Sequence, residues 1–169
     1  GLFSQEGMPA QWFPLFCPQF SLVESDFAER DIPVSFVGTL GHKNNPDREP
    51  FLKAFRAQHP LVVLSGDYRP IFGRSRIALN QTAASEVNFR CFEAMSCGAA
   101  LLMETCGNGL EELFAPDQEM LPTFPRNDAR AAAAIAASAL AQPQRLAELA
   151  SAGSRAVRQR HTDTVRAVR

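Results

Sequence analysis

A surplus of basic residues is missing from this chain. Seventeen Lys and Arg face eighteen Asp and Glu, leaving a formal net charge of -1 with histidine neutral. Nucleic acid is therefore not an expected partner, because neutralising phosphates takes a concentrated excess of Lys and Arg. Long apolar runs are missing too, and none approaches the roughly 20 residues that span a bilayer. The opening residues show no basic stretch followed by an apolar segment and a small-residue cleavage site. A soluble, cytoplasmic protein with no transmembrane segment is the expectation. Paired cysteine spacing is also lacking. Cys17, Cys91, Cys97 and Cys106 form no CxxC and have no histidine cluster nearby, so neither a zinc site nor a disulfide framework is expected, and they read as free, mostly buried thiols. His42, His59 and His161 share no spacing or partner that marks a general base, and His59 before Pro60 reads as a helix stop. The sequence thus names no metal, no bound cofactor and no catalytic side chain.

What is present is enough for a core. With 46% of its 169 residues hydrophobic, a chain of this size buries about 68–70% of the surface it exposes when unfolded. Residues 1–31 are rich in Phe and Pro, as in Trp12-Phe13-Pro14-Leu15-Phe16-Cys17-Pro18, and lack sustained periodicity. They read as a connector packed by its aromatics. From Ile32 onward, short apolar runs alternate with helical segments, the pattern of βαβ units. The fold class expected for residues 32–169 is α/β, a Rossmann-like parallel sheet flanked by helices.

The strands are expected at Ile32–Val37, Leu61–Leu64, Arg76–Leu79 and Ala99–Met103, with a last, weak one at Glu119–Phe124. Asp47 is placed to cap a helix that buries Phe51, Leu52 and Phe55. Residues 70–74 read as partly helical. Asn88 to Cys97 reads as a helix closed by Gly98, and Leu110–Phe114 as a short one. Asn127 or Asp128 can cap an Ala-rich helix reaching Ala141. Pro143 suits the first turn of another, with Leu146, Leu149, Ala150, Gly153 and Val157 on one stripe, followed by a basic helical tail.

The informative stretch is Glu86-Val87-Asn88-Phe89-Arg90-Cys91-Phe92-Glu93-Ala94-Met95-Ser96-Cys97-Gly98. Phe89, Phe92 and Ser96 share one arc of the helix, and Arg90, Glu93 and Cys97 the neighbouring one. This helix follows a strand and a loop, and in open α/β sheets ligands sit outside the carboxyl ends of the strands. Its amino end offers N–H groups and a positive dipole to an anion such as a diphosphate. Glu93 can accept hydrogen bonds from both hydroxyls of a ribose, while Arg90 and Asn88 can position phosphate or sugar oxygens.

Blander readings stand beside these. Arg90 and Glu93, three residues apart, also fit an ordinary surface ion pair. Gly38 and Gly41 also fit a plain turn, and Lys43 a solvated lysine. Glu111 and Glu112 also fit helix N-terminal acids favoured by the dipole. Phe51, Phe55, Phe89, Phe92 and Met95 read as core. Arg155, Arg158, Arg160, Arg166 and Arg169 read as a solvated helix face, or as a docking face for a further domain or an acidic partner.

Asn88 to Gly98, with Gly109-Leu110-Glu111-Glu112-Leu113-Phe114 downstream, His161-Thr162 and Arg166 near the end, Phe36-Val37-Gly38-Thr39, and Ile77-Ala78-Leu79-Asn80, resembles the group-1 glycosyltransferases, and within them the spore-maturation-type branch. The resemblance runs from about Ile32 to Arg166. It implies the C-terminal half of a GT-B fold, a domain that binds a nucleotide-diphosphate sugar, with a separate N-terminal acceptor domain for which residues 1–31 are the connector. Transfer with retention is implied, as is inactivity of this half alone. By the same resemblance Glu93 matches the second glutamate of an E-x7-E motif, the one that holds the ribose. Ser85 falls at the first glutamate, with Glu86 one position out of register. Gly38 and Thr39 match the phosphate-facing loop, with Thr39 where many relatives carry Arg, and Lys43 is a candidate diphosphate contact. Gly109, Leu110 and Glu111 match the loop that contacts the sugar donor. The rival reading is a non-catalytic Rossmann-like module that binds protein.

Overall fold

Parallel strands covered on both faces should be mainly apolar, and four short runs of this chain have such apolar centres. The computed structural model describes residues 14–18, 21–23, 25–41 and 43–167. In it the runs form β1 (Ile32–Val37), β2 (Val62–Leu64), β3 (Ser75–Asn80) and β4 (Ala100–Met103). They make one sheet in the order β2-β1-β3-β4, with every neighbouring pair parallel. Pro33 sits in a central strand, where its missing N–H would normally break a ladder. It is tolerated because pairing with β2 begins only at Ser35, while on the β3 side the paired residues Ile32 and Val34 flank it.

The helices between the strands are α1 (Arg48–Arg56), α2 (Arg69–Phe72), α3 (Phe89–Ser96), α4 (Leu110–Leu113), α5 (Ala129–Leu140), α6 (Pro143–Arg160) and α7 (Asp163–Ala167). Alternate side chains of each strand serve opposite faces of the sheet. Ala78, Leu101 and Met103 pack with Phe72, Phe92, Met95, Leu110 and Val157. Ile77, Leu79, Ala100 and Leu102 pack instead with Phe51, Phe55, Ala132, Ala136 and Leu149. The result is a three-layer domain with a separate core on each side of the sheet.

Arg30 fixes the edge of the domain where the strands begin. It is 3% exposed, and its Nη1 donates to the carbonyls of Phe72 (2.8 Å) and Ser75 (2.7 Å), its Nη2 to that of Cys97 (2.7 Å). One guanidinium thereby ties the carboxyl ends of α2 and α3 to the start of β3, at helix ends where cations are favoured. Gly98, at φ +73°, leaves the room, since a Cβ there would stand 2.7 Å from Nη2.

Three expectations are corrected, and one pair of alternatives is resolved. Glu119–Phe124 is not a strand: it runs beside β4 with Leu121 N–H donating to Leu101 O and Phe124 N–H to Met103 O, but Pro122 supplies no N–H between them and only isolated bridges form. Asp47 stands before α1 without capping it, because its Oδ2 accepts instead from Asn127 Nδ2 (3.1 Å). Asp128, not Asn127, caps α5, accepting from Ala131 N–H at 2.9 Å. Phe89 is 48% exposed rather than core, because it occupies the first position of α3, at the rim of the sheet. The connector reading of residues 1–31 falls about half on residues outside the described ones, and His42 and Arg169 lie outside them too. Within it, Cys17 is fully buried and pairs with Thr162 through a parallel bridge.

α6 passes so close to the backbone at Glu119 that a Cβ on Gly153 would lie 2.3 Å from the Glu119 carbonyl oxygen. Backbone cannot give way as a side-chain tip can. Gly153→Ala should therefore destabilise the fold by about 1–3 kcal/mol, as overpacking does, and thermal unfolding followed by circular dichroism checks this. An unchanged midpoint would contradict the close packing.

Candidate functional site

The strand order reverses between β1 and β3, and the loops leaving their carboxyl ends part there to open a crevice. Its volume is about 280 Å³. Gly38 and Thr39 follow β1, Asn80 and Gln81 end β3, Arg48 enters from the first turn of α1, and Asn88, Phe89, Arg90 and Glu93 come from the amino end of α3; all line the crevice. At Gly38 a Cβ would stand 2.9 Å from the Phe36 ring, so the loop passes this close only as glycine.

Asn88 is in extended conformation at the N-cap of α3 but makes no side-chain cap. Its Oδ1 accepts from Asn80 Nδ2 at 3.0 Å instead, an orientation set by the end of β3. Arg90 Nη1 lies 3.0 Å from Glu93 Oε2, and the two side chains are only 25% and 19% exposed. The Arg90 guanidinium also lies over the rings of Tyr68 and Phe72, 5.7 and 5.8 Å from their centroids, geometry that favours a cation. The ion pair exists, partly buried rather than at the open surface, and both side chains line the crevice rather than the opposite side of the sheet. Burial raises the Glu93 carboxyl above its ordinary pKa, with the Arg90 charge acting against that shift.

Arg48 donates through Nη1 to Thr39 O (2.9 Å), through Nε to Gln81 Oε1 (3.2 Å) and through Nη2 to Gln81 O (3.2 Å). Burial lowers its pKa, the Arg90 charge does likewise, and Glu104 acts in the opposite sense. Two guanidiniums thus flank one crevice.

The remaining sequence candidates lie elsewhere. Lys43 is exposed in a turn and does not line the crevice. Glu86 is exposed on the loop before α3, its N–H donating to Thr82 Oγ1 at 3.2 Å. Ser85, at φ +50°, accepts from Arg126 Nη1 at 2.6 Å, which holds this loop to the segment before α5. Gly109 is left-handed at the start of α4, Leu110 is core at 1% exposure, and Glu111 is exposed. None of these three lines the crevice, although Asn108 Oδ1 accepts from Val87 N–H at 2.9 Å and so ties their loop to the one before α3. Burial pushes the Cys91 thiol up to about 12 and those of Cys97 and Cys106 to about 11, so all three stay protonated at neutral pH and are poor nucleophiles.

Sequence reasoning missed Arg48, Asn80 and Gln81. A signal existed for the last two, since polar residues closing an apolar parallel strand mark the carboxyl edge where ligands gather.

Comparison with solved structures matches the whole architecture. The Anabaena Alr3699/HepE structure in complex with UDP and glucose superposes with a TM-score of 0.74 at 13% identity, over 98% of this chain and 58% of that one. The pneumococcal O-GlcNAc transferase GtfA in complex with UDP and GlcNAc superposes with a TM-score of 0.66 at 13% identity, over 99% of this chain and 41% of that one. The chain therefore spans about half the length of the proteins it resembles. At such identities the likeness is one of fold, a Rossmann-like domain matching GT-B glycosyltransferase structures. No curated protein matches the sequence, and among the described residues no helix is long and apolar enough to cross a membrane. The glycosyl transferase-like family profile matches residues 24–169, nearly the whole chain, and this protein belongs to that family.

Proposed function

We propose that the crevice binds the diphosphate and ribose of a nucleotide-sugar donor, and that the chain is the donor half of a hexose-transferring enzyme. The observation that carries this reading is the convergence of Arg48, Arg90 and Glu93 with the glycine-bearing loop of β1 at the switch point of the sheet. Glu93 takes the ribose hydroxyls. Arg90 and Arg48 take phosphate oxygens, with the amino end of α3 adding its positive dipole. When the bond from sugar to diphosphate breaks, charge develops on the departing phosphate oxygen, and cations already in place stabilise it without reorganisation. UDP and a sugar occupy the HepE and GtfA complexes, which supports a donor of the same class here. The acceptor belongs to an N-terminal domain outside this chain, the anomeric configuration is retained, and this half alone transfers no sugar.

Titration calorimetry with UDP, GDP and ADP tests the proposal. One of them should bind saturably, and Glu93→Ala and Arg90→Ala should each weaken it by about tenfold or more, the loss expected for a charge-assisted hydrogen bond. A folded chain that binds none of the three, or variants that bind as tightly as the parent, would overturn the assignment and favour a protein-binding module.

A further inference from the structure

Among the described residues, Arg48 is a cation of the crevice with no carboxylate in ion-pair contact. Its hydrogen-bond partners are a backbone carbonyl from Thr39 and two oxygens of Gln81, all neutral. Arg90, in contrast, has Glu93 at 3.0 Å. A guanidinium held only by neutral acceptors keeps its charge for a ligand.

Gln81 does the holding, and it is itself immobilised. It is completely buried. Its Oε1 accepts from Asn45 Nδ2 (2.9 Å) as well as from Arg48 Nε (3.2 Å), and its Nε2 donates to Asn45 Oδ1 (3.2 Å) and Asn127 Oδ1 (3.0 Å). Both donors and both acceptor sites of the amide are in use, so turning it would break four hydrogen bonds. Asn127 is fixed in turn. Its Nδ2 donates to Asp47, and its N–H (3.4 Å) donates to Glu104 Oε2, while Oε1 of that buried carboxylate receives the Thr82 N–H (2.8 Å) and hydroxyl (2.6 Å). The network joins the start of α1, the end of β3, the end of β4 and the turn before α5.

We infer that Gln81 is a positioning residue: it fixes the Arg48 guanidinium, with its charge unpaired, beside Gly38 and Thr39, and so sets a preference for a nucleoside diphosphate over the corresponding monophosphate. The inference rests on the donor-binding reading. An amide suits this role where other side chains fail. A glutamate of the same shape would pair with Arg48 and cancel the charge the ligand needs, and a leucine would leave Nε of Arg48 without an acceptor.

The test is the ratio of diphosphate to monophosphate affinity, measured on the full chain with UDP, GDP and ADP against UMP, GMP and AMP. Gln81→Glu should lower that ratio by about tenfold while monophosphate affinity stays nearly constant. In an Arg48→Ala background the same substitution should cost nothing further, which a general weakening of the fold would not reproduce. Thermal unfolding of each variant accompanies the titrations. Should Gln81→Glu fail to fold, Asn45→Ala, which removes two of the hydrogen bonds holding the Gln81 amide without contacting the Arg48 side chain, carries the same measurement and should also lower the ratio. An unchanged ratio, equal loss of both nucleotides, or a loss fully additive with Arg48→Ala would overturn the inference and leave the donor-binding reading standing. Absence of binding to all six nucleotides by the parent chain would overturn both.

Discussion

Arg48→Ala is expected to weaken nucleoside diphosphate binding more than either Arg90→Ala or Glu93→Ala, by about 100-fold, equivalent to roughly 3 kcal/mol for two charge-assisted hydrogen bonds lost together. The asymmetry follows from pairing. Arg90 spends part of its charge on Glu93 at 3.0 Å, so removing it takes away a cation already half-neutralised. Arg48 has only neutral partners, and its loss removes a whole charge from a crevice lined by little else that is positive. The affinity should also lose part of its salt dependence, since fewer unpaired charges meet the phosphates. Calorimetry at two ionic strengths measures both effects. Equal losses for Arg48→Ala and Arg90→Ala would mean that the two cations are equivalent.

Acid should destabilise the fold through His161. Its ring lies between Phe92 and Phe114, with centroids 5.8 and 4.8 Å away. Nε2 meets the Leu113 carbonyl at 3.1 Å and Nδ1 meets Arg166 Nη2 at 2.6 Å. Only a neutral ring protonated at Nε2 satisfies both, because Arg166 has donors alone. Burial, and then the charges of Arg166 and Arg160, outweigh the Leu113 hydrogen bond and bring the pKa down to about 4 from 6.5. A depressed folded-state pKa stabilises the native state fully above the unfolded value. That contribution drains away as pH falls from about 6.5 towards 4, because the unfolded chain takes up a proton that the native ring refuses. The difference corresponds to about 3 kcal/mol at neutral pH. Urea unfolding between pH 7.5 and 4 should show a slope that His161→Phe flattens; a slope of equal steepness in the variant would assign the acid sensitivity to other groups.

The sheet was legible because burial on both faces imposes mainly apolar runs, and Ile32–Val37 carries that imprint at every position but the exposed Pro33 and the buried Ser35. α6 was legible for the same reason, since Leu146, Leu149, Ala150, Gly153 and Val157 all proved buried. The arc of α3 bearing Arg90 and Glu93 was readable from spacing, because helical periodicity fixes which residues share a face. Phe89 was misread because periodicity reports direction around the axis but not position along it, and the first turn of α3 projects beyond the edge of the sheet. Asp47 looked like a cap and instead partners Asn127, 80 residues away. The network around Gln81 left no local trace at all: Asn45 lies 36 residues before it and Asn127 46 after it, and ordinary polar residues acquire a common purpose only once three loops meet.

Arg30 bears on how the crevice can respond to a ligand. Its grip on the Cys97 carbonyl, shared with those of Phe72 and Ser75, moors the far end of the helix whose near end carries Arg90 and Glu93. A helix anchored at its tail cannot slide along its own axis when something arrives at its head. Accommodation must therefore come from rotation of the individual side chains that line the crevice, with the frame of the sheet and this helix held as a fixed die.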